Sequence, residues 1–217
     1  MSAEADAGKR AAAEAAAELV EDGMTVGLGT GSTVAFLLPA LAARGLGIRC
    51  IATSQATAEA AEGLGLPLEE FEALGQLDIA IDGADQVAPD RWLVKGGGGA
   101  HLREKVAAAS AARFVVVVDE SKRVEALRPP IPLELLPFGL PATLRRLATM
   151  GDVQRRDAPA SPDGGVIADF YGEVGDPGDL GPRLDADPGV LAHGLFPAEM
   201  VSDVLVGSAG GRVTSLD

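Results

Sequence analysis

The stretch Leu77–Lys105 combines charged side chains with bare backbone in a pattern typical of an active site. An apolar run ends in Asp82, Asp85 follows three residues later, and Lys95 leads into four consecutive glycines. Glu104 comes nine residues after that lysine, where a helix is expected to begin. Glycine is entropically costly unless backbone must approach a ligand. Carboxylates beside an ammonium group are the equipment of acid–base catalysis, so this stretch predicts proton transfer.

A second candidate site is the run Gly27–Thr33, which ends a short apolar strand and precedes a helix. Backbone N–H groups, hydroxyls and the positive end of a helix favour a bound anion such as a phosphate. The alternative is a tight turn in which Ser32 or Thr33 merely caps the helix. The run lacks the P-loop spacing and its lysine, and it also departs from the dinucleotide fingerprint, because position 32 is serine.

Each charged residue also has a plain structural interpretation. Asp82 or Asp85 could cap backbone N–H groups in an Asx-type turn. Lys95 could be a solvated surface lysine, and Glu104 could pair with a neighbouring arginine or lysine on a helix surface. For His101, near the start of the same helix, a capping or surface position is favoured over a ligand role.

Composition excludes several classes of function. The 217 residues carry a net charge of −14, with four lysines against fourteen arginines, which argues against a nucleic-acid partner. One cysteine, Cys50, excludes an internal disulfide and a cysteine-based metal cage, and His101 and His193 show no chelating spacing, which argues against a metal site. No apolar run approaches membrane-spanning length and no signal peptide is evident, which predicts a cytoplasmic protein without a membrane partner.

The elements that must position these residues alternate between strand and helix, which predicts an α/β fold with a mostly parallel, helix-covered sheet. In such sheets ligands bind at the carboxyl ends of the strands. The predicted elements of this part are helices at 3–21, 34–45, 57–62 and 100–113, and strands at 24–29, 48–53, 67–71, 77–82, 92–94 and 114–119.

Clustered prolines near residue 127 predict a domain boundary. The next elements follow the order βαββαβ, which predicts a smaller ferredoxin-like α+β domain. They are strands at 131–135, 152–156, 166–171 and 190–196, and helices at 142–150 and 180–185. Strands at 203–207 and 212–215 are expected to return to the first domain. The predicted domains are thus 1–127 plus 203–217, and 128–202.

Four sequence blocks, VGLGTGST, IDGADQV, VKGGGGAHLREK and VVVVDESKRV, resemble those of type A ribose-5-phosphate isomerase in order and spacing. The similarity continues through the later segments and covers nearly the whole chain. It implies an isomerase that interconverts ribose 5-phosphate and ribulose 5-phosphate without metal or cofactor, working as a homodimer or homotetramer in the pentose phosphate pathway.

By matching position, the resemblance implies that Glu104 is the base that moves a proton between C2 and C1 through a cis-enediolate. It implies that Asp82, Asp85 and Lys95 assist ring opening, shuttle the hydroxyl proton and offset developing charge. The remaining positions are implied to bind substrate: Thr30, Gly31, Ser32, Thr33, Gly83, Ala84, Gly96, Gly97, Gly98, Lys122 and Lys9.

The sequence departs from the family pattern at Gln86, where a glutamate is usual, and at Met200–Asp203, where an arginine is absent. Residues 158–165 and 180–185 look trimmed. A sugar-phosphate deaminase or CoA transferase of similar fold, and a non-enzymatic sugar-phosphate sensor, are the rival interpretations. The deaminase and transferase lack support because their own catalytic patterns are absent, and a sensor is disfavoured because all four charged residues are present.

Overall fold

The structure is a computed structural model that describes residues 3–216. In chain order the strands are β1 (Thr25–Leu28), β2 (Arg49–Ala52), β3 (Leu77–Asp82), β4 (Gln86–Val87), β5 (Leu93–Val94), β6 (Ala111–Asp119), β7 (Ile131–Leu135), β8 (Val153–Arg155), β9 (Val166–Phe170), β10 (Val190–His193), β11 (Leu195–Phe196), β12 (Asp203–Gly207) and β13 (Val213–Ser215). The helices are α1 (Ala3–Ala17), α2 (Val34–Arg44), α3 (Gln55–Gly63), α4 (Phe71–Leu74), α5 (His101–Ala109), α6 (Leu140–Leu147) and α7 (Pro177–Asp185). Two 3₁₀ turns lie at Glu120–Lys122 and Ala198–Met200.

The chain divides into two compact units, and they differ from the predicted domains in one main respect. The first unit contains residues up to 84, 103–123 and those from 199 onward, and the second contains 85–102 and 124–198. The stretch 85–102 therefore groups with the second unit, whereas the sequence assigned it to the first domain. The reason is strand pairing, since β5 pairs with both β4 and β11 in a small antiparallel sheet.

The first unit is built on a six-stranded sheet in the order β13-β12-β6-β3-β1-β2. All its pairs are parallel except that of β12 with the terminal strand β13. Buried apolar side chains of α1 and α2 pack on β1, β3 and β6 in one core. The valine run of β6 suits the centre of such a sheet, because β-branched residues favour strands that are buried on both faces.

The second unit contains a four-stranded antiparallel sheet in the order β10-β7-β9-β8. With α6 and α7 placed between the strands along the chain, the element order is βαββαβ, which confirms the predicted ferredoxin-like arrangement. The apolar face of this sheet packs around Leu133, Phe170 and Leu184.

Several predicted elements are wrong in their bounds. The predicted strand at 67–71 is only a single bridge between Cys50 and Leu68, followed by α4. The predicted helix at 100–113 ends at Ala109, because β6 already begins at Ala111 and pairs there with β3.

The predicted strand at 190–196 splits at Gly194 into β10 and β11, which join different sheets. Gly194 donates to the Pro132 carbonyl at 2.7 Å and accepts from the Lys95 N–H at 2.8 Å. A Cβ at this position would lie 2.2 Å from the Lys95 carbonyl oxygen, so the break requires glycine.

Among residues 3–216, no helix is long and apolar enough to cross a membrane.

Candidate active site

The carboxyl ends of four parallel strands of the first unit lie on one edge of its sheet. Thr30–Thr33 follow β1, Gly83 and Ala84 follow β3, and Lys122 lies in the 3₁₀ turn after β6. This is the edge at which open α/β sheets bind ligands. The structure thus brings to one edge the residues that the sequence singled out in this unit.

Asp82, the last residue of β3, links two loops at this edge. Its side chain is 3% exposed. Its Oδ1 accepts the N–H of Thr30 at 3.0 Å and that of Gly83 at 2.7 Å. A Cβ on Gly29 would lie 2.0 Å from the Asp82 Cγ, so only glycine permits this approach. The capping role that the sequence left open is real, but an ionised carboxylate has about four acceptor sites, so this role leaves capacity for proton transfer.

The turn before α2 differs from an ordinary capped helix start. Gly31 adopts a φ of +113°, a region that favours glycine. Thr33 is the N-cap of α2, yet within the described chain its hydroxyl makes no capping hydrogen bond. The side chain of Ser32 is exposed. Simple capping by Ser32 or Thr33 therefore does not account for the hydroxyls of this turn.

Two buried threonines that the sequence analysis missed support the same turn. The Thr30 Oγ1 lies 3.0 Å from the Thr53 Oγ1 and 3.4 Å from the Thr57 Oγ1. Thr57 also donates to the Gly29 carbonyl at 2.9 Å. Thr53 follows β2, which pairs with β1, so its position at a neighbouring strand end was the available signal.

Glu104 lies in the first turn of α5 and is 5% exposed. It lines one small pocket together with Asp82, Gly29 and Phe114. Glu104 is therefore buried and does not lie on the exposed surface of the helix. Burial beside a second carboxylate is an environment in which a carboxylate can work as a base.

Lys122 and Lys9, two of the lysines of the first unit, lie near the carboxyl ends of β6 and β12. Lys122 is partly buried in its 3₁₀ turn. Lys9 on α1 is 4% exposed and lies 3.8 Å from a carboxylate oxygen of Asp6. The preceding residue, Gly8, packs so closely on the end of β12 that an added Cβ would lie 2.5 Å from the Gly207 carbonyl.

Lys95 belongs to the second unit and is buried rather than solvated. Its side chain is 3% exposed, and its Nζ lies 5.5 Å from the ring centroid of Phe196. Such a desolvated cation–π contact is worth about 2 kcal/mol. The solvated interpretation of Lys95 is wrong, and no local sequence pattern indicated Phe196 as its partner.

The glycine loop, Gly96–Gly99, follows directly after Lys95. Gly96 has a φ of +104°, and a Cβ there would lie 2.6 Å from the Nδ1 of His101. His101 is 0% exposed, so the surface position favoured by the sequence is wrong. Gly97 donates its N–H to the Asp85 Oδ2 at 2.7 Å, which joins Asp85 to the loop. Gly98 is exposed.

Arg156 contacts the same loop and was not anticipated. Its Nη1 donates to the carbonyls of Gly96 and Gly97, each at 3.0 Å. Hydrogen bonds to Asp169, and then the charge of Asp85, raise the pKa of Arg156 above its ordinary value. Because Arg156 lies 60 residues from Gly96 in sequence, no local pattern could have indicated this contact.

Gln86 and Asp203 lie at two departures from the family pattern, and the side chain of each binds an arginine residue. The Gln86 amide donates to the Arg128 carbonyl at 2.8 Å and accepts the Arg128 N–H at 3.0 Å. A glutamate could not make both bonds when ionised. Asp203 accepts from the Arg113 Nε at 2.7 Å, and it begins β12, so it lies at the strand end opposite the carboxyl edge.

Burial raises the pKa of the Cys50 thiol to about 12, which leaves it unreactive and agrees with a small buried side chain. In the part of the chain that the structure describes, no group of three or more His, Cys, Asp or Glu side chains could hold a metal ion.

Comparison with known proteins gives a consistent result. Residues 49–211 match the family model "Ribose 5-phosphate isomerase A (phosphoriboisomerase A)". The chain is 46% identical over 216 residues to ribose-5-phosphate isomerase A of Roseiflexus castenholzii, covering 93% of this chain and 92% of the relative. The crystal structure of ribose 5-phosphate isomerase A from Neisseria gonorrhoeae superposes with a TM-score of 0.91 at 33% identity, over 95% and 94% of the two chains.

A further similar structure is a D-ribose-5-phosphate isomerase in complex with phospho-erythronic acid. Its TM-score is 0.90 at 33% identity, over 96% of this chain and 97% of the other. These similarities confirm the family that the sequence blocks indicated and the predicted α/β fold. The chain therefore belongs to the ribose 5-phosphate isomerase A family and is an isomerase.

Proposed function

We propose that this enzyme interconverts D-ribose 5-phosphate and D-ribulose 5-phosphate through a cis-enediolate, without metal or cofactor, in the non-oxidative pentose phosphate pathway. The observation that carries the proposal is that two buried carboxylates, Glu104 and Asp82, line the same small interior space, with Asp82 at the carboxyl end of β3. Relatives over nearly the full chain are named for this substrate.

Glu104 is the base in this proposal. It takes the proton from C2 of the open-chain aldose, and the electron pair left on C2 forms the C1–C2 double bond of the enediolate. The C1 carbonyl oxygen gains negative charge as this happens. Return of the proton from Glu104 to C1, with transfer of the O2 proton to O1, gives the ketose. A carboxylate is a weak base for a carbon acid, so the site must exclude water and supply positive charge near the oxygens.

Lys95 is the proposed source of that positive charge, with the N–H groups of the glycine loop. Burial strengthens the field of its ammonium group, because there is little water to screen it. Asp82 and Asp85 are proposed to assist ring opening and to carry the hydroxyl proton between O1 and O2. Both already accept backbone N–H groups, which holds each carboxylate in one orientation.

The proposed phosphate site is the turn Thr30–Thr33, with Ser32 and Thr33 nearest the phosphate and with Lys122 and Lys9 supplying positive charge. The start of α2 adds its helix dipole. Gly83, Ala84, Gly96, Gly97 and Gly98 complete the proposed substrate contacts.

A ligand of one relative supports the enediolate. Phospho-erythronic acid carries a phosphate and a carboxylate. The two oxygens of that carboxylate resemble O1 and O2 of an enediolate derived from ribose 5-phosphate. A compound that resembles a high-energy intermediate binds more tightly than substrate, so we expect phospho-erythronic acid to inhibit this enzyme competitively.

We also propose a cytoplasmic homodimer or homotetramer, as the resemblance implies. Closed symmetric assemblies are the commonest state of such enzymes. Light scattering of the purified protein would test this.

The function is tested by incubating the protein with ribose 5-phosphate and EDTA and following ketose formation. We expect turnover, and we expect Glu104→Gln to fold normally but to lose about 10²–10⁴-fold in kcat, the usual contribution of a general base. Near-normal turnover by Glu104→Gln would refute the base assignment. Loss of wild-type activity in EDTA would refute the metal-free mechanism, and no ketose at all would refute the proposed reaction.

A further inference from the structure

Arg156 holds the glycine loop by its backbone carbonyls. The residue directly follows β8, and its Nη1 donates to the Gly96 and Gly97 oxygens at 3.0 Å each. One guanidinium nitrogen that donates to two consecutive carbonyls restrains the peptide that joins them. This contact therefore acts on the backbone immediately after Lys95.

The guanidinium is itself fixed on its other edge. Its Nε and Nη2 donate to the two carboxylate oxygens of Asp169 on β9, each at 2.6 Å. This bidentate geometry is the strongest and most directional form of an arginine–carboxylate pair. Asp169 is 8% exposed and sits in the middle of a paired strand, so the loop is attached to a rigid sheet.

The Gly97 peptide is held on both sides. Its N–H donates to the Asp85 Oδ2 at 2.7 Å, and its carbonyl accepts from Arg156. A Cβ on Gly97 would lie 2.9 Å from the Asp85 Oδ1, so a bare backbone is needed for this approach. Four consecutive glycines are conformationally flexible without such restraints. The contacts with Asp85 and Arg156 therefore restrict the backbone of a loop that has no side chains to restrict it.

We propose that Arg156 is a positioning residue of the isomerase, which fixes the glycine loop and Asp85 in reactive geometry through its contacts with Gly96, Gly97 and Asp169. Arg156 does not touch substrate in this proposal. It acts through the loop backbone, and the inference rests on the proposed function for its kinetic readout. Loss of the contact should lower kcat, because the loop directly follows Lys95. We propose that Lys95 stabilises the negative charge that develops in the reaction.

Arg146 provides a matched control in the same unit. It makes an equivalent bidentate pair with Asp187 at 2.6 and 2.7 Å, but its other side-chain contact is with Thr143 and not with the loop. Loss of either ion pair removes similar interactions. Only loss of Arg156 releases Gly96 and Gly97.

The experiment compares Arg156→Ala, Arg156→Lys and Arg146→Ala in the ribose 5-phosphate assay. A displacement of about 1 Å in a reacting group costs roughly 10²-fold, so we expect Arg156→Ala to lose about that factor in kcat with a smaller change in KM. Arg156→Lys should recover only part of it, because an ammonium cannot bind Asp169 and both carbonyls together. Added guanidinium ion at millimolar concentration should partly restore Arg156→Ala, and Arg146→Ala should stay within about twofold of wild type.

Amide hydrogen exchange gives a readout that does not depend on activity. The backbone amides of residues 96–100 should exchange faster in Arg156→Ala than in the wild type. Their exchange rates should be unchanged in Arg146→Ala. Equal kcat in the Arg156 and Arg146 variants, or unchanged exchange in the loop of Arg156→Ala, would overturn the proposal while leaving the isomerase function intact. An inactive wild type would instead refute the proposed function, and the exchange comparison would still decide whether Arg156 orders the loop.

Discussion

Replacing Asp82 by asparagine separates its observed hydrogen bonds to two loops from its proposed role in proton transfer. Asparagine keeps a side-chain oxygen where Oδ1 accepts the N–H groups of Thr30 and Gly83. Hydrogen bonds to a charged group are worth about 1.5–3 kcal/mol and neutral ones about 0.5–1.5. The substitution therefore weakens the two hydrogen bonds by about 2–3 kcal/mol in total. A neutral amide costs less to bury than a carboxylate, which offsets part of this loss in the free energy of unfolding.

The net loss of stability is then about 1–2 kcal/mol, which lowers Tm by roughly 2–8 °C for a chain of this size. Asp82→Ala is less informative. It would leave two buried N–H groups without an acceptor at about 1–3 kcal/mol each, which approaches the whole stability of a domain.

Calorimetry and the ribose 5-phosphate assay together test this substitution. We expect Asp82→Asn to fold and to lose about 10²–10⁴-fold in kcat, since an amide cannot exchange the proton. Asp78→Asn is the control, because Asp78 lies at the other end of β3 and likewise accepts an N–H and a hydroxyl, both from Thr25 at 2.7 Å. Its activity should be unchanged. If Asp82→Asn keeps kcat within about threefold of wild type, Asp82 only accepts N–H groups from the two loops, and its proposed role in proton transfer is wrong.

Two further predictions concern the supports of the site. Thr57→Val removes the donor to the Gly29 carbonyl, so KM for ribose 5-phosphate should rise about fivefold, equivalent to about 1 kcal/mol. Thr57→Ser keeps the hydroxyl and should stay near wild type. Equal KM values for the two variants would contradict a phosphate site at the turn Thr30–Thr33. Gln86→Glu replaces the donor to the Arg128 carbonyl by a carboxylate, which should lower Tm by about 2–4 °C at pH 7 without altering kcat. Protonation of the introduced carboxylate in the variant Gln86→Glu restores a donor to the Arg128 carbonyl, so the loss in Tm should shrink as the pH falls below about 4.3. A loss in Tm that does not depend on pH would show that the missing hydrogen bond is not its cause.

Much of the fold could be predicted because the signals were local. The valine run of β6, the apolar run of β3 and the βαββαβ order of the second unit each follow from the periodicity of a short segment. The exact ends failed where long-range pairing decided the outcome. Ala111–Arg113 joined β6 because β3 lies alongside, and Gly194 split a strand because two other backbones approach it.

The candidate site was predictable in its charged residues but not in their supports. Asp82, Lys95 and Glu104 stand out because each follows a strand or begins a helix beside glycines. Their burial could not be predicted, since a lysine beside a glycine loop is equally typical of a surface. Arg156 and Phe196 come from strands distant in sequence, so only the folded chain identifies them as partners of the loop and of Lys95.

The most direct test of the central claim, that Glu104 moves a proton between C2 and C1, is isomerisation of ribose 5-phosphate in D₂O with EDTA present. Mass spectrometry or NMR of the ketose from the wild-type enzyme should find solvent deuterium at C1, because the proton held by the base exchanges with solvent before its return. Glu104→Gln should fold normally and form both ketose and deuterated substrate about 10²–10⁴-fold more slowly than the wild type. Deuterium at C1 of ketose formed at an undiminished rate by Glu104→Gln would contradict the claim and require another base.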